Sequence, residues 1–239
     1  MATTTKPEYG YDDLPLLLTR LTGDEKHDSS SLSTLDVLWV LYDRVLGDND
    51  RFILSKGHGP AAYYAVLAAK GFVPLDALDG FGSFDSPLGY HPDRRRAPGV
   101  EFSSGSLGHG LGVATGVALT GRRVWCLLGD AELDEGSNWE AVQYAGRIGL
   151  GSLTAIVVDN DSSEHGWPVA GSVAGKPGDA RPEDPGARGA PGGIERRFML
   201  EGWIAVRVDG RDHEALEAAL LPAPDPTRPR CVVADVVAR

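Results

Sequence analysis

The stretch LGDAELDEGSNWEA, residues 128–141, places four carboxylates directly after the apolar run at 124–128. A short apolar run of this kind is typical of a buried β-strand. An Asp at the end of such a strand, followed by small residues and a helical pattern, is either a turn residue or a metal ligand. The elements on either side of the stretch decide between these two interpretations.

Composition limits the classes of function that this chain can have. Its 239 residues suit one large α/β domain, and its net charge of −11 argues against a surface for nucleic acid or anionic membrane. Cys126 and Cys231 both lie in apolar segments, as buried thiols in a reducing compartment do. No membrane span or signal-peptide pattern is visible. We therefore expect a cytoplasmic protein that binds neither nucleic acid nor membrane.

Apolar strands and helical patterns alternate along the chain. The strands are predicted at 122–130, 153–160, 204–210 and 230–238, and the helices at 32–46, 59–72, 109–121, 137–150, 193–203 and 212–223. Continuous Val, Ile and Leu runs between helices predict the α/β class, with a parallel sheet covered by helices on both faces. Residues 166–193 are rich in Gly, Pro and Ala and predict a long mobile loop. Helix 109–121 has small side chains, which favour close packing against another helix or subunit.

Asp130 and Asn160 each follow a predicted strand, and one βαβ crossover separates them. Ligands of open α/β sheets bind at the carboxyl ends of the strands, where these two side chains would meet. Carboxylate, amide and carbonyl oxygens suit Mg²⁺, which also accepts phosphate oxygens. Because Asp and Asn often end strands as turn residues, the two residues alone favour the turn interpretation.

Several longer blocks carry a family resemblance. GDAELDEGSNWEA…VVDNDSS resembles the thiamine diphosphate signature, in which GDG is followed after a βαβ unit by Asn. HDSSSLSTLDVLW, LSKGHGPAAYYAVLAAKGF and HPDRRRAPGVEFSSGSLGHGLGVATGVAL resemble the N-terminal part of transketolase and occur in the family's order. The resemblance covers about residues 18–160 and continues in IERRFMLEGWIAVRVDGRDHEALEAAL. It implies the thiamine diphosphate-binding fold, with residues 1–239 forming a single pyrophosphate-binding domain.

The resemblance also implies a metal and cofactor site. Asp130, Asn160 and the backbone carbonyl of Ser162 would ligate Mg²⁺ (or Ca²⁺), which bridges the two phosphates of thiamine diphosphate. Gly129 and Ala131 would let the end of the strand approach the diphosphate. Ala131 replaces the usual last Gly of GDG, and its methyl group excludes a strongly positive φ.

Further cofactor and substrate contacts are implied upstream. Loop 105–108 would form a wall beside the cofactor because its small residues leave N–H groups free for an anion. Its cofactor-binding members would be Gly105, Ser106 and Leu107. His58 would hydrogen-bond near the diphosphate, whereas His27 and His91 would line the channel and contact hydroxyls of the donor sugar. His109, where relatives commonly have Gln, is either a wall residue or a cofactor contact.

The remaining carboxylates of the opening stretch are assigned differently. Glu135 matches a family Glu that lies at the subunit contact. Glu132 and Asp134 are expected to be solvated charges near a helix start, where carboxylates are electrostatically favoured.

The function implied is that of an N-terminal transketolase subunit, which moves a two-carbon ketol unit from a ketose to an aldose. The pyrimidine-binding and C-terminal domains are expected on a separate subunit, in a complex of two plus two copies that acts on small sugars or sugar phosphates. One alternative is another thiamine diphosphate enzyme subunit, such as the alpha chain of a 2-oxo acid dehydrogenase, although SKGHG and HPD…PGVE argue against it. The other is a degenerate, cofactor-free scaffold subunit, which Ala131 and the HDSS variant of the family's HPGG favour.

Overall fold

The computed structural model describes residues 9–21, 31–160, 162, 193–221 and 225–237. Its described strands form one five-stranded parallel sheet, in the order β1-β2-β3-β5-β4. The strands are β1 Arg51–Leu54, β2 Val124–Gly129, β3 Leu153–Asp159, β4 Ile204–Asp209 and β5 Arg230–Asp235. The predicted α/β class with a parallel sheet is therefore confirmed.

Helices connect the strands. They are α1 Leu14–Leu18, α2 Leu35–Val40, α3 Ala61–Ala69, α4 Gly110–Ala118, α5 Gly136–Ile148, α6 Gly193–Leu200 and α7 His213–Leu220. Helix α5 ends at Gly149, whose φ of 68° gives the left-handed cap that glycine favours. Helix α7 begins at Asp212, whose carboxylate accepts the backbone N–H groups of Glu214 and Ala215.

The sheet is buried on both faces. In β2, Trp125 and Leu127 belong to one hydrophobic cluster, whereas Val124, Cys126 and Leu128 belong to another. Helix α3 is entirely buried in the first cluster, and α4 and α5 pack on the second. Because alternate residues of a strand point to opposite faces, this division explains why β2 is a continuous apolar run.

Two elements differ from the sequence predictions, and one predicted loop lies almost entirely outside the described residues. Strand β1 was not predicted, because it has only four residues and a single short apolar segment. The predicted helix 32–46 is α-helical only over Leu35–Val40 and continues as a π-helical turn over Leu41–Val45. The predicted loop 166–193 lies outside the described residues, except that Gly193 begins α6.

The register of the sheet brings the ends of β2 and β3 together. Gly129 is paired with Val158, and the backbone N–H of Asp130 donates to the Val158 carbonyl at 3.1 Å. The residues that follow these two strands therefore share one edge of the sheet.

Among the helices of the described ranges, none combines the length and the apolar character that crossing a bilayer requires.

Candidate functional site

Asp130 lies at the carboxyl end of β2 and is 2% exposed. Its two carboxylate oxygens accept the backbone N–H of Ser162 at 2.7 Å and the Ser162 hydroxyl at 2.5 Å. The structure thus brings together two of the three residues predicted to bind metal. The part of Ser162 that contacts Asp130 is its N–H and hydroxyl, whereas the prediction assigned the metal to its carbonyl.

Asn160 follows β3 on the same edge. Its side-chain oxygen Oδ1 is buried and has no hydrogen-bond partner among the described residues. A buried acceptor without a partner loses its hydration and gains nothing in return, so a bound ion or water molecule would compensate for that cost. An amide oxygen of this kind, on the same edge of the sheet as the Asp130 carboxylate, fits a hard cation such as Mg²⁺.

These donors form a mixed site rather than an acidic cage. Within the described ranges, no group of three or more His, Cys, Asp or Glu side chains is arranged to hold a metal ion. A cation here would depend on one carboxylate, an amide oxygen and ligands from outside the protein. Mg²⁺ with phosphate oxygens in its coordination sphere matches that donor set, because Mg²⁺ is often held by few protein ligands together with substrate phosphates.

The residues around Asp130 leave little room for extra atoms. A Cβ added at Gly129 would lie 3.1 Å from Cδ of Lys56, a buried lysine that follows β1. Ala131 begins a 3₁₀ turn over Ala131–Asp134, and this turn has a helical backbone with negative φ. Its methyl group therefore causes no backbone strain, although the family pattern has Gly at this position.

Gly105, the first residue of loop 105–108, lies directly against His91. Gly105 has φ of 141°, and a Cβ there would lie 2.8 Å from Cδ2 of His91. The rings of His58 and His91 meet edge to face, with centroids 5.2 Å apart. A Cβ at Gly57 would lie 2.4 Å from the Gly105 nitrogen. The SKGHG segment, the His91 segment and loop 105–108 therefore form one cluster.

The other predicted contacts have different outcomes. Ser106 is exposed and Leu107 is partly buried, and the Ser106 carbonyl lies 3.2 Å from Nδ1 of the exposed His109. Their cofactor contacts stay predictions. His27 lies outside the described residues.

The expectation that Glu132 is a solvated charge was wrong. Glu132 is 2% exposed, and its Oε1 accepts the Ser55 hydroxyl at 2.5 Å and the Gly108 N–H at 2.9 Å. Burial raises the pKa of Glu132, while these hydrogen bonds and nearby Lys56 oppose that change. Asp134 is partly buried, and Glu135 is exposed.

Sequence reasoning missed Ser55 and Lys56 as residues of this site. Both follow β1, which pairs with β2, so the topology places them beside the Asp130 segment. Recognising RFIL as a strand would have identified them, because its polar successors then fall at the carboxyl edge of the sheet.

This edge of the sheet therefore offers a buried carboxylate, a buried amide oxygen without a hydrogen-bond partner in the described part of the chain, a buried lysine and two imidazoles in contact. Oxygen donors suit a divalent cation, and the lysine ammonium group suits an anion. A metal-bound, phosphate-bearing ligand with an organic portion near the imidazoles matches this arrangement chemically.

Comparison with known proteins also indicates a domain that binds a phosphate-bearing ligand. The family model described as transketolase, thiamine diphosphate binding domain, matches residues 27–237. Ferredoxin fas2 from Rhodococcoides fascians is 48% identical over 229 residues, which cover 89% of this chain and 68% of that protein. A 6-deoxy-6-sulfo-D-fructose transketolase subunit from a Clostridium species is 32% identical over 209 residues, covering 81% of this chain and 70% of that protein.

Solved structures agree on the fold. A crystal structure of a transketolase variant from Pichia stipitis superposes with a TM-score of 0.71 at 23% identity, covering 95% of this chain. The chain corresponds to 36% of the length of that transketolase. The predicted resemblance to the N-terminal part of transketolase is thereby confirmed, and the chain belongs to the transketolase thiamine diphosphate-binding domain family.

Proposed function

We propose that this chain is the diphosphate-binding subunit of a two-chain transketolase that moves a two-carbon ketol unit from a ketose to an aldose. It binds thiamine diphosphate together with Mg²⁺ (or Ca²⁺) at the carboxyl edge of β2 and β3. A second chain supplies the pyrimidine-binding domain. Family membership and a relative named as a transketolase subunit support this proposal.

One observation carries the assignment of the metal. The buried Oδ1 of Asn160 has no hydrogen-bond partner among the described residues, and it follows the strand next to Asp130. A turn residue of ordinary kind would direct its amide to the backbone or to solvent. A buried amide oxygen at the same sheet edge as a buried carboxylate supports a cation ligand instead.

When bound, thiamine diphosphate supplies the carbon nucleophile and the electron sink for ketol cleavage. The residues of this chain bind and orient it. Asp130, Asn160 and the Ser162 carbonyl would hold the cation, and Lys56 supplies positive charge beside the diphosphate. Gly129 and loop 105–108 give the backbone close access to the cofactor.

The imidazoles of His58 and His91 serve a different part of the site. The His91 ring lies against Gly105, and its edge-to-face contact with His58 orients the two rings relative to each other. We assign His58 to the diphosphate side and His91, with His27, to hydroxyls of the donor sugar. Each ring has two nitrogen atoms that exchange hydrogen bonds with such groups, so the pair can orient a polyol without a formal charge.

The partner chain would cover the open side of this site. Residues Gly112 and Gly116 of α4 have no described atoms within 4 Å of an added Cβ, and Val113 between them is 43% exposed. Small residues allow close approach of another helix, so this face of α4 and exposed Glu135 are the proposed subunit contacts. Closed two-fold symmetry, with two copies of each chain, is the commonest solution for such assemblies.

The names of two relatives bear on the substrate and on the question of an iron–sulfur cluster. The Clostridium relative is named for 6-deoxy-6-sulfo-D-fructose, which makes six-carbon ketoses with an anionic terminal group the first donors to test. The name ferredoxin on the Rhodococcoides relative is not extended to this chain. The clusters of plant-type and bacterial ferredoxins take four cysteine thiolates, and this chain has two cysteines, both buried.

Calorimetric titration tests the proposal against a cofactor-free scaffold subunit. The chain should bind thiamine diphosphate in the presence of Mg²⁺ and lose most of that affinity when EDTA replaces the metal. Thiamine without phosphates is the matched control, because it lacks the groups that the cation bridges. Absence of binding at millimolar cofactor with Mg²⁺ would favour the scaffold alternative.

A further inference from the structure

Glu132 has an environment that the assigned binding roles do not explain. It follows Asp130 by two residues, yet its side chain points into the protein and is 2% exposed. Burying a carboxylate is unfavourable unless hydrogen bonds or charges compensate for the lost hydration. Its contacts therefore indicate what this carboxylate does.

The Glu132 carboxylate joins three segments that are distant in sequence. Its Oε1 accepts the Ser55 hydroxyl at 2.5 Å and the Gly108 N–H at 2.9 Å, and its Oε2 lies 3.4 Å from the Gly129 nitrogen. The Ser55 hydroxyl in turn accepts the N–H of Gly110 at 3.0 Å. One side chain thus connects the end of β1, the end of β2 and the start of α4.

The backbone segments around this carboxylate are packed so closely that side chains cannot be added at Gly108 or Gly110 without displacing their neighbours. A Cβ at Gly110 would lie 2.3 Å from the Ser55 side chain, and one at Gly108 would lie 2.6 Å from Cβ of Glu135. The Ser137 hydroxyl also donates to the Gly108 carbonyl at 2.8 Å. Loop 105–108 is therefore fixed at its last residue by the Glu132 carboxylate on one side and by α5 on the other.

Each segment that Glu132 joins continues into a proposed cofactor contact. Lys56 follows Ser55, Gly105 lies three residues before Gly108, and Asp130 follows Gly129. We propose that Glu132 is a positioning residue that holds these three segments in the arrangement that receives the diphosphate. This inference rests on the proposed function, since it concerns the same cofactor site, but Glu132 itself touches neither metal nor cofactor.

Two variants and a matched control test this role. Glu132→Leu removes both acceptors, whereas Glu132→Gln keeps one oxygen for Ser55 and Gly108 and loses the longest contact and the negative charge near Lys56. Asp50→Asn is the control. Asp50 is also buried and accepts a backbone N–H, from Gly47 at 2.8 Å, but it precedes β1 and so lies at the opposite edge of the sheet.

Three measurements apply to all variants: the thermal midpoint, the affinity for thiamine diphosphate with Mg²⁺, and amide hydrogen exchange of the peptide that contains residues 104–110. Glu132→Leu should weaken cofactor binding at least about tenfold, the change that corresponds to one net hydrogen bond. It should also speed exchange at Gly108 and Gly110. Glu132→Gln should recover most of the affinity, and Asp50→Asn should lower the midpoint without changing affinity or loop exchange.

The outcomes separate this inference from the proposed function. If the unaltered chain binds no cofactor, the proposed function fails and the positioning role falls with it. If the unaltered chain binds and Glu132→Leu binds equally well, only the positioning role is overturned. Equal loss of affinity in Glu132→Leu and Asp50→Asn would also overturn it, because general destabilisation would then explain the effect.

Discussion

Ser162 donates both its backbone N–H and its hydroxyl to the two carboxylate oxygens of Asp130, at 2.7 and 2.5 Å. The contact joins the segment after β3 to the end of β2 across the sheet edge. An ionised carboxylate has about four lone-pair sites, so a carboxylate that accepts these two bonds can also bind a cation. The carboxylate is therefore oriented by protein donors before any ligand binds.

Asp130→Ala should abolish binding of thiamine diphosphate in the presence of Mg²⁺ while the fold is kept. The reason is that the variant removes the one carboxylate proposed to hold the cation. Calorimetric titration measures the affinity, and circular dichroism confirms the fold. Asp209→Ala is the control, since Asp209 ends β4 at the same edge of the sheet, and its carboxylate accepts the N–H of Arg211. Unchanged affinity in Asp130→Ala, measured with the partner chain present, would contradict the metal assignment.

Asn160→Ala should weaken cofactor binding without lowering the stability of the fold. Its Oδ1 has no described partner to lose, so the free energy of unfolding without metal and cofactor should change by no more than about 0.5 kcal/mol. Cofactor affinity with Mg²⁺ should fall at least about tenfold, or ~1.4 kcal/mol, because a metal ligand is lost. Urea unfolding and calorimetry measure the two quantities. A large loss of stability with unchanged affinity would identify Asn160 as a structural turn residue.

Gly105→Ala should displace His91. The φ of 141° and the 2.8 Å approach to Cδ2 of the His91 ring both exclude a side chain at this position. Strain alone should cost about 1–3 kcal/mol of stability. Gly121→Ala is a matched control, because Gly121 also has positive φ, at 84°, but nothing described lies within 4 Å of its added Cβ. Both variants should be destabilised, and only Gly105→Ala should weaken cofactor binding. Equal cofactor affinities in the two variants would show that loop 105–108 does not contribute to cofactor binding.

Limited proteolysis should cut the free chain first within residues 166–193. Pro- and Gly-rich surface segments of this composition present accessible backbone to proteases. Mass spectrometry of the first fragments locates the cut, and addition of thiamine diphosphate with Mg²⁺ shows whether binding protects the segment. A first cut inside α3 or α5, with 166–193 resistant, would contradict the proposed organisation as a single domain with one mobile loop.

Much of the fold was predictable because its central strands are long and apolar. β2 and β3 are buried on both faces, so their continuous runs of Val, Leu and Ile carry a clear signal, and the crossover between them fixed Asp130 and Asn160 as neighbours. Strand β1 carries no such signal, because it has four residues. Ser55 and Lys56, which follow β1, were missed for that reason.

The error at Glu132 has a different cause. Sequence position predicts that a carboxylate near a helix start is solvated, since the helix dipole stabilises it there. In the structure, the 3₁₀ turn after Asp130 directs this side chain inward, toward Ser55 and Gly108. Those partners lie 77 and 24 residues away in the sequence, so no local pattern could have indicated them.

Ketol transfer by the purified chain, alone and after mixing with a chain that carries the pyrimidine-binding domain, tests the central claim most directly. Donors should include ketose phosphates, free ketoses and 6-deoxy-6-sulfofructose, at saturating thiamine diphosphate and Mg²⁺. We predict no turnover by this chain alone and turnover on mixing, because in the proposed arrangement neither chain by itself encloses both ends of the cofactor. Robust turnover by this chain alone, after contaminating transketolase has been excluded, would contradict the two-chain account.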